Sequence, residues 1–564
     1  MVSYKAIDHV ETQGLHTGPG RGKVSPTAKP ARVTSGASER RGDGVQPKVR
    51  KFPDLVNSNV DFRAGALIIS IGTYLGAVIS SKGGCVMSGT NMLSIPYGDR
   101  HITAKLPERT RIVRSTVRTM SPLPDPAKAV RDALENPISH EPLSKLVGPK
   151  SRVTIGFDDP IGFAPTQKQP DFRGVAIKVI LEELNRHGVD PLNIRIVCAV
   201  GLHRKWTIRE LGTLVGEDLA YKLGPSRLFN HDAEDPDGLV FLGETKRGQE
   251  VEVSRLVMES DQFIYVSNPW SPFNGGWKSA VVGLSSYRSI RHHHRPFPKA
   301  SGKSTMDPKR SAFPKLLNEM GDVIERELAR KGRRFFIVEG AMNNAVPQEL
   351  VHVVAGHPPE THVKTLEVLQ TQHVVNVRGQ SDVVVYGMGN NRDPYSKFST
   401  INPILVRNLG MSYSFGLFQN VPLVREGGIA ILVHPCLPQF DDTKYPSYVE
   451  MFDKLLPRMQ DPFELWDLYA EEYAHRPEYI HTYRYGYGFH GVHPLILYGQ
   501  GAYGFRYLGR VFLAGAMDSA AVGLLGFEPF RTVEDAVDEA ERSLGKDCTV
   551  AYPAMEESFI CNVE

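Results

Sequence analysis

Three residues of this 564-residue chain combine a reactive type with a suggestive setting. Lys278 follows Gly275-Gly276-Trp277, and a lysine beside permissive backbone can approach a bound phosphate or bond covalently to a cofactor. The plainer reading is a surface lysine after a turn. His294 closes a run of three histidines, 292–294. Imidazole ligates nickel, copper, zinc and iron alike, so the residue type does not name a metal. Neighbouring side chains diverge on a helix or a strand, so the run need not form one site and also reads as a solvated stretch ended by Pro296. His203 lies in Gly201-Leu-His-Arg, just ahead of the capping-box sequence Thr207-Ile-Arg-Glu210. A histidine in such a strand-to-helix loop serves as a general base or bonds to nearby backbone.

Other motifs are weaker. A phosphate-binding loop needs its lysine directly after the second glycine, and here Trp277 intervenes, which disfavours a nucleotide triphosphatase. The acidic stretch 230–245 lacks calcium-loop spacing and reads as a loop followed by a strand. Arg392 follows a Gly-Met-Gly turn, where an arginine can fork onto a substrate carboxylate or pair with an acid at the turn. The aromatic cluster Tyr483–His490 either lines a pocket or packs.

The elements that must position these residues alternate apolar runs with amphipathic stretches, the pattern of an α/β fold. Strands are expected at Val153–Phe157, Ile194–Val200, Phe263–Ser267, Phe335–Val338, Val383–Tyr386, Ile429–Val433 and Val511–Ala514. Helices are expected at 171–187, 207–222, 310–330 and 533–544. Asp158 and Asp159 follow the first strand, His203 the second and Asn268 the third. Ligands of open α/β sheets gather at the carboxyl ends of strands, so these three placements support one another.

The length suggests two or three domains with ample core. Residues 1–51 carry ten Lys/Arg against four Asp/Glu, which leaves the remainder mildly acidic under a net charge of +3. Residues 1–60 show no apolar period and read as a disordered basic extension rather than a nucleic-acid arm. Residues 61–91 contain the apolar, glycine-rich run 64–81, which approaches membrane-span length but carries many small and polar residues. A start at Met87 or Met92 would leave that run outside the protein. Membrane insertion is not the expectation. The five cysteines include no Cys-x-x-Cys pair, which fits a reducing cytoplasm and argues against a zinc or disulfide framework. The expected division is residues 92–300 as an N-terminal cofactor and catalytic domain and 301–564 as a C-terminal α/β domain, with a Pro/Gly/Ser-rich hinge near 295–310.

Taken in order, several of these segments resemble the nickel-pincer lactate racemase family over about 92–555. Ile95-Pro-Tyr-Gly opens the domain, Val153–Asp159 resembles the strand before the family's Asp-x-Thr-Arg-Pro motif, and Gly201-Leu-His-Arg resembles the catalytic-histidine segment. Gly275-Gly-Trp-Lys278 is similar to the cofactor-lysine segment, and His294 stands at the family's lysine-to-histidine spacing. The resemblance implies a two-domain α/β architecture and a nickel-pincer nucleotide attached to Lys278. It implies nickel bound by His294, with Gly275, Gly276, Asp158 and Asp159 contacting the cofactor. The implied reaction is racemisation or epimerisation of a 2-hydroxy acid by reversible hydride transfer, with His203 as base. The implied partners are a small hydroxy-acid substrate and cofactor-synthesis proteins, with no nucleic acid.

The chain also departs from the pattern. The second catalytic histidine would fall at Asn268, and an amide is no proton acceptor. Thr-Arg-Pro is missing after Asp159, and the Gln and Lys expected after Asp393 are not in place. The substrate is therefore expected to be something other than simple lactate, with Arg392 as the candidate for its carboxylate. One-sided hydride transfer on the same cofactor, or a non-catalytic binding role, are the alternatives.

Overall fold

The computed structural model describes residues 92–160, 167–296, 304–396, 400–555 and 559–564. The basic extension 1–60, the apolar run 64–81 and residues 297–303 of the expected hinge lie outside the described residues.

The strands follow the apolar runs. A six-stranded sheet has the spatial order Leu350–Gly356, Phe336–Met342, Gln262–Ser267, Val153–Asp158, Ile194–Ala199, Leu228–Asn230. All neighbours are parallel except Leu350–Gly356, which runs antiparallel at one edge. Parallel strands are covered on both faces, and alternate residues show it here. Ile155, Phe157, Ile196 and Ile264 join one core with Ala176, Ile177 and Ile180 of the helix Phe172–Arg186. Phe263, Tyr265, Phe335 and Ile337 join another with Leu317, Met320 and Ile324 of the helix Ala312–Ala329. Thr207 and Glu210 form the expected capping box, starting a helix at Ile208. The single helix expected at 207–222 is two, Ile208–Val215 and Glu217–Leu223, because Gly216 has φ 101°, outside the helical range.

The second sheet has eight strands. Its main path is Glu528–Phe530, Arg510–Ala514, Val424–Val433, Ser381–Gly389, Met92–Gly98 and Arg100–Lys105, with Val550–Pro553 and Arg111–Val113 joined beside Ser381–Gly389. The expected division at residue 300 does not separate the two sheets. Met92–Gly98 pairs parallel to Ser381–Gly389, Arg111–Val113 pairs with Val550–Pro553, and Phe336–Met342 belongs to the first sheet. Strand pairing across hundreds of residues left no local mark in the sequence. Among the described residues, no helix is long and apolar enough to cross a membrane.

Candidate functional site

The carboxyl ends of the three central strands of the first sheet open onto a cavity of about 110 Å³. Asp158, Asp159, His203, Asn268, Gly275, Lys278 and His294 all face it. A second cavity of about 430 Å³ adjoins it, and His294 and Phe273 belong to both walls.

His203 is held from both sides. Asp159 Oδ2 accepts a hydrogen bond from its Nδ1 at 2.9 Å, which orients the ring and leaves Nε2 as the nitrogen turned away from the carboxylate. The next residue, Arg204, stacks 3.7 Å over Trp206 and pairs with Glu210 at 2.7 Å, pinning the loop to the following helix. Tyr483 Oη donates to the Gly201 carbonyl at 2.7 Å, and the His490 amide donates to the Leu202 carbonyl at 3.1 Å. The aromatic cluster at 483–490 thus packs and, in packing, braces the His203 loop.

Asp158 is the hub of the next strand end. It accepts from Tyr265 Oη at 2.9 Å, Ser267 Oγ at 2.8 Å and the Asn268 amide at 2.8 Å. Burial pushes its carboxyl up from the usual range, and the Asn268 amide and Ser267 hydroxyl oppose the shift. Asn268 Oδ1 is buried with no hydrogen-bond partner among the described residues, so it is an acceptor without an occupant. The expectation made Asp158 and Asp159 cofactor contacts. The structure engages both carboxylates with the chain's own groups.

Lys278 opens the short helix Lys278–Val281. Gly275 and Gly276 lead into it with φ of 88° and 56°, and the Gly276 amide donates to buried Glu339 at 2.7 Å. A Cβ on Gly275 would lie 2.6 Å from both Glu339 Oε1 and Pro269 Cγ, so the turn needs glycine for space as well as conformation. Lys278 Nζ sits 4.9 Å over the Phe273 ring. Burial lowers its pKa, opposed by the charges of Asp158 and Asp159. A desolvated lysine spends more time as the free amine, the form that makes a covalent bond.

Of the three histidines, His292 turns away from the other two, whose rings meet. His292 Nε2 meets Glu250 at 3.3 Å, and His293 is buried. His294 Nδ1 lies 2.5 Å from His293 Nδ1. Burial holds the His294 ring well below its ordinary pKa, with the neighbouring His293 adding to the effect, so it is neutral. A neutral imidazole with one nitrogen already engaged is the usual form of a histidine metal ligand.

Arg392 is not brought to this cavity. It ends the turn Asn390–Arg392 after the strand Ser381–Gly389, and its Nη1 donates to the Met555 carbonyl at 3.0 Å. The sequence showed the turn but not which way the side chain leaves it. The arginine that does line the cavity, Arg173, is committed to Asp171 at 2.7 Å and to the carbonyls of Asp158 and Asp159 at 3.0 and 2.6 Å. It shapes the strand end.

Sequence reasoning missed His493. It begins the helix His493–Gln500, lines the same cavity and lies 5.4 Å, ring centre to ring centre, from His203. Burial lowers its pKa well below the ordinary value, and the adjacent His203 adds to the shift. Tyr395 also touches His203, at 5.3 Å between ring centres. His493 belongs to no motif, and only the docking of its helix reveals it.

An aspartate-paired histidine, a buried lysine and a buried histidine thus share one cavity at the carboxyl edge of the first sheet of an α/β fold. Residues 97–306 match the lactate racemase N-terminal domain family. The lactate racemase of Thermoanaerobacterium thermosaccharolyticum is 23% identical over 393 residues, spanning 65% of this chain and 82% of the relative. That of Lactiplantibacillus plantarum is 24% identical over 280 residues, spanning 48% and 60%. The solved apoprotein of the Thermoanaerobacterium thermosaccharolyticum racemase shares the fold, with a TM-score of 0.57 and 19% identity, over 84% of this chain and all of that one. The chain is thus similar to lactate racemases in sequence, most specifically over residues 97–306, and in fold.

The site's donors suit the cofactor that the resemblance implies. Among the described residues, no group of three His, Cys, Asp or Glu side chains could hold a metal ion. A metal here would take one imidazole from the chain and its other ligands from a bound group. His294 and Lys278 on one wall meet that requirement.

Proposed function

We propose that this chain is a racemase or epimerase of a 2-hydroxy acid and holds a nickel-pincer nucleotide through Lys278, with His294 as the chain's ligand to nickel. When bound, such a group supplies the acceptor for the C2 hydride. The chain's own residues do the rest. His203 Nε2 takes the hydroxyl proton, and Asp159 steadies the positive ring that results. Asn268 Oδ1 accepts a hydrogen bond from the substrate and orients it. The cavity adjoining His294 gives a mononucleotide the volume that the space around Lys278 lacks. Partners on this reading are a small hydroxy acid and the proteins that make and insert the cofactor.

One observation carries the reading: the loop that holds His203 and the separate segment that holds Lys278 and His294 meet at one cavity. One-sided hydride transfer is the second reading, favoured by Asn268 at the position of the family's second histidine. The test is protein produced with the cofactor-synthesis enzymes, measured by intact mass and nickel content. It is then offered C2-deuterated lactate, an aromatic 2-hydroxy acid and a sugar acid. An adduct, nickel, and loss of label or inversion at C2 are expected. Absence of both adduct and nickel overturns the proposal, and label transfer without inversion selects the second reading.

A further inference from the structure

We infer that His493 is a second acid–base residue of this site, working beside His203 on the substrate oxygen and supplying the base that Asn268 cannot. The inference rests on the hydride-transfer reading above. Its structural basis is the construction of the two histidines. His203 has Nδ1 fixed by Asp159 and Nε2 left over. His493 is held in a similar way: its Nδ1 pairs with the Tyr448 hydroxyl at 2.6 Å, and the residue lines the same cavity as His203. The His493 ring is clamped as well. It stacks on Phe489 at 4.7 Å with 24° between planes and stands edge-on to Tyr395 at 5.1 Å. Only 3% of the residue is exposed, yet it lines the cavity that holds Lys278 and His294.

The geometry suits inversion. A bound cofactor would offer its hydride acceptor from one side, so the substrate would have to present either face of C2 to it. With its carboxylate held, turning the other face exchanges the positions of the hydroxyl and the C2 side chain. Each oxygen position then needs its own proton acceptor. His203 and His493 stand side by side at the cavity, 5.4 Å between ring centres and 82° between planes, so one substrate can reach both rings. At either residue the substrate O–H bond breaks and an N–H bond forms at Nε2. The O–H pair becomes the second bond of the carbonyl as C2–H leaves with its electrons to the hydride acceptor. The return step reverses each of these changes.

His493→Gln and Tyr448→Phe test this in the nickel-loaded full chain, with the same deuterated hydroxy acids and with inversion scored separately from label loss. In His493→Gln, inversion should fall about 10²–10⁴-fold, the usual worth of a general base, while one enantiomer still loses label. Tyr448→Phe keeps the ring packing and removes one hydroxyl, and it should lower inversion more than label loss. A readout independent of turnover is the ¹⁵N spectrum of the histidine rings on adding oxamate, an isostere of a 2-oxo acid. Oxamate should move the Nε2 resonances of both His203 and His493. Undiminished inversion in His493→Gln, or oxamate shifting His203 alone, overturns the assignment. If His493→Gln does not fold, the oxamate shifts in the parent decide. A parent protein that neither inverts nor loses label from any of the acids overturns the hydride-transfer reading itself, and this inference with it.

Discussion

Asp159→Asn is the most direct test of the catalytic geometry. The side chain keeps its size, and the Asp159 carbonyl still receives Arg173 Nη1 at 2.6 Å, so the strand end should hold its shape. Only the contact with His203 Nδ1 at 2.9 Å changes character. At that separation, two unit charges attract by about 6 kcal/mol at an effective dielectric of about 20. Most of this is spent on desolvation, and a hydrogen bond to a charged group nets about 1.5–3 kcal/mol. Removing the charge should therefore weaken the protonated ring about 10–150-fold. An amide N–H facing Nδ1 adds a further loss, because it favours the tautomer with the proton already on Nε2. The expected rate lies between a tenfold loss and that of His203→Ala, for which a general base sets about 10²–10⁴-fold. The assay is label loss from the C2-deuterated acids, with nickel content and adduct mass measured on the same sample. Unimpaired turnover would refute an orienting role. Loss of nickel or adduct would show that Asp159 holds the cofactor instead.

The other expectations concern the tether, the packing beneath it and a buried acid. Lys278→Ala should abolish the nucleotide adduct by intact mass. His294→Ala should lower nickel content far more than His292→Ala, whose ring faces Glu250 instead of the cavity; equal losses at both would refute the assignment. Gly321→Ala places a Cβ 2.3 Å from the ring of buried Trp277, next to Lys278. Overpacking of about 1–3 kcal/mol should outweigh the roughly 1 kcal/mol that alanine gains in a helix, so thermal melting should show a lower Tm and loading a smaller adduct yield. Asp393 is buried and its carboxyl is pushed up from 3.8 to about 7, so between those values the folded chain holds a proton that the unfolded chain releases. Stability should fall as pH rises through that window, by on the order of 4 kcal/mol at most. Asp393→Asn, which keeps an acceptor for the Tyr395 and Ser396 amides, should flatten that slope in denaturant titrations.

The sequence determined those features whose causes are local. Apolar runs marked the strands, since a parallel strand covered on both faces must be apolar throughout, and Val153–Asp158 and Ile194–Ala199 begin where the runs begin. Thr207 and Glu210 marked a helix start because a capping box is made within four residues. Gly275 and Gly276 marked a turn that only glycine fits, and with it Lys278. The split of the expected 207–222 helix at Gly216 was legible in principle, as a lone glycine inside a helical stretch.

Only the tertiary structure decided what depends on contacts between distant segments. It paired Met92–Gly98 with Ser381–Gly389, so the two sheets do not part at residue 300. It turned Arg392 toward Met555 and gave Asp159 to His203. It set the cluster at 483–490 against the His203 loop and carried His493 into the cavity on the next helix. The physical reason is common to all of these. Periodicity and capping fix an element's type and ends, but the direction a side chain takes and the neighbour it meets follow from packing whole elements together, which no short stretch of sequence encodes.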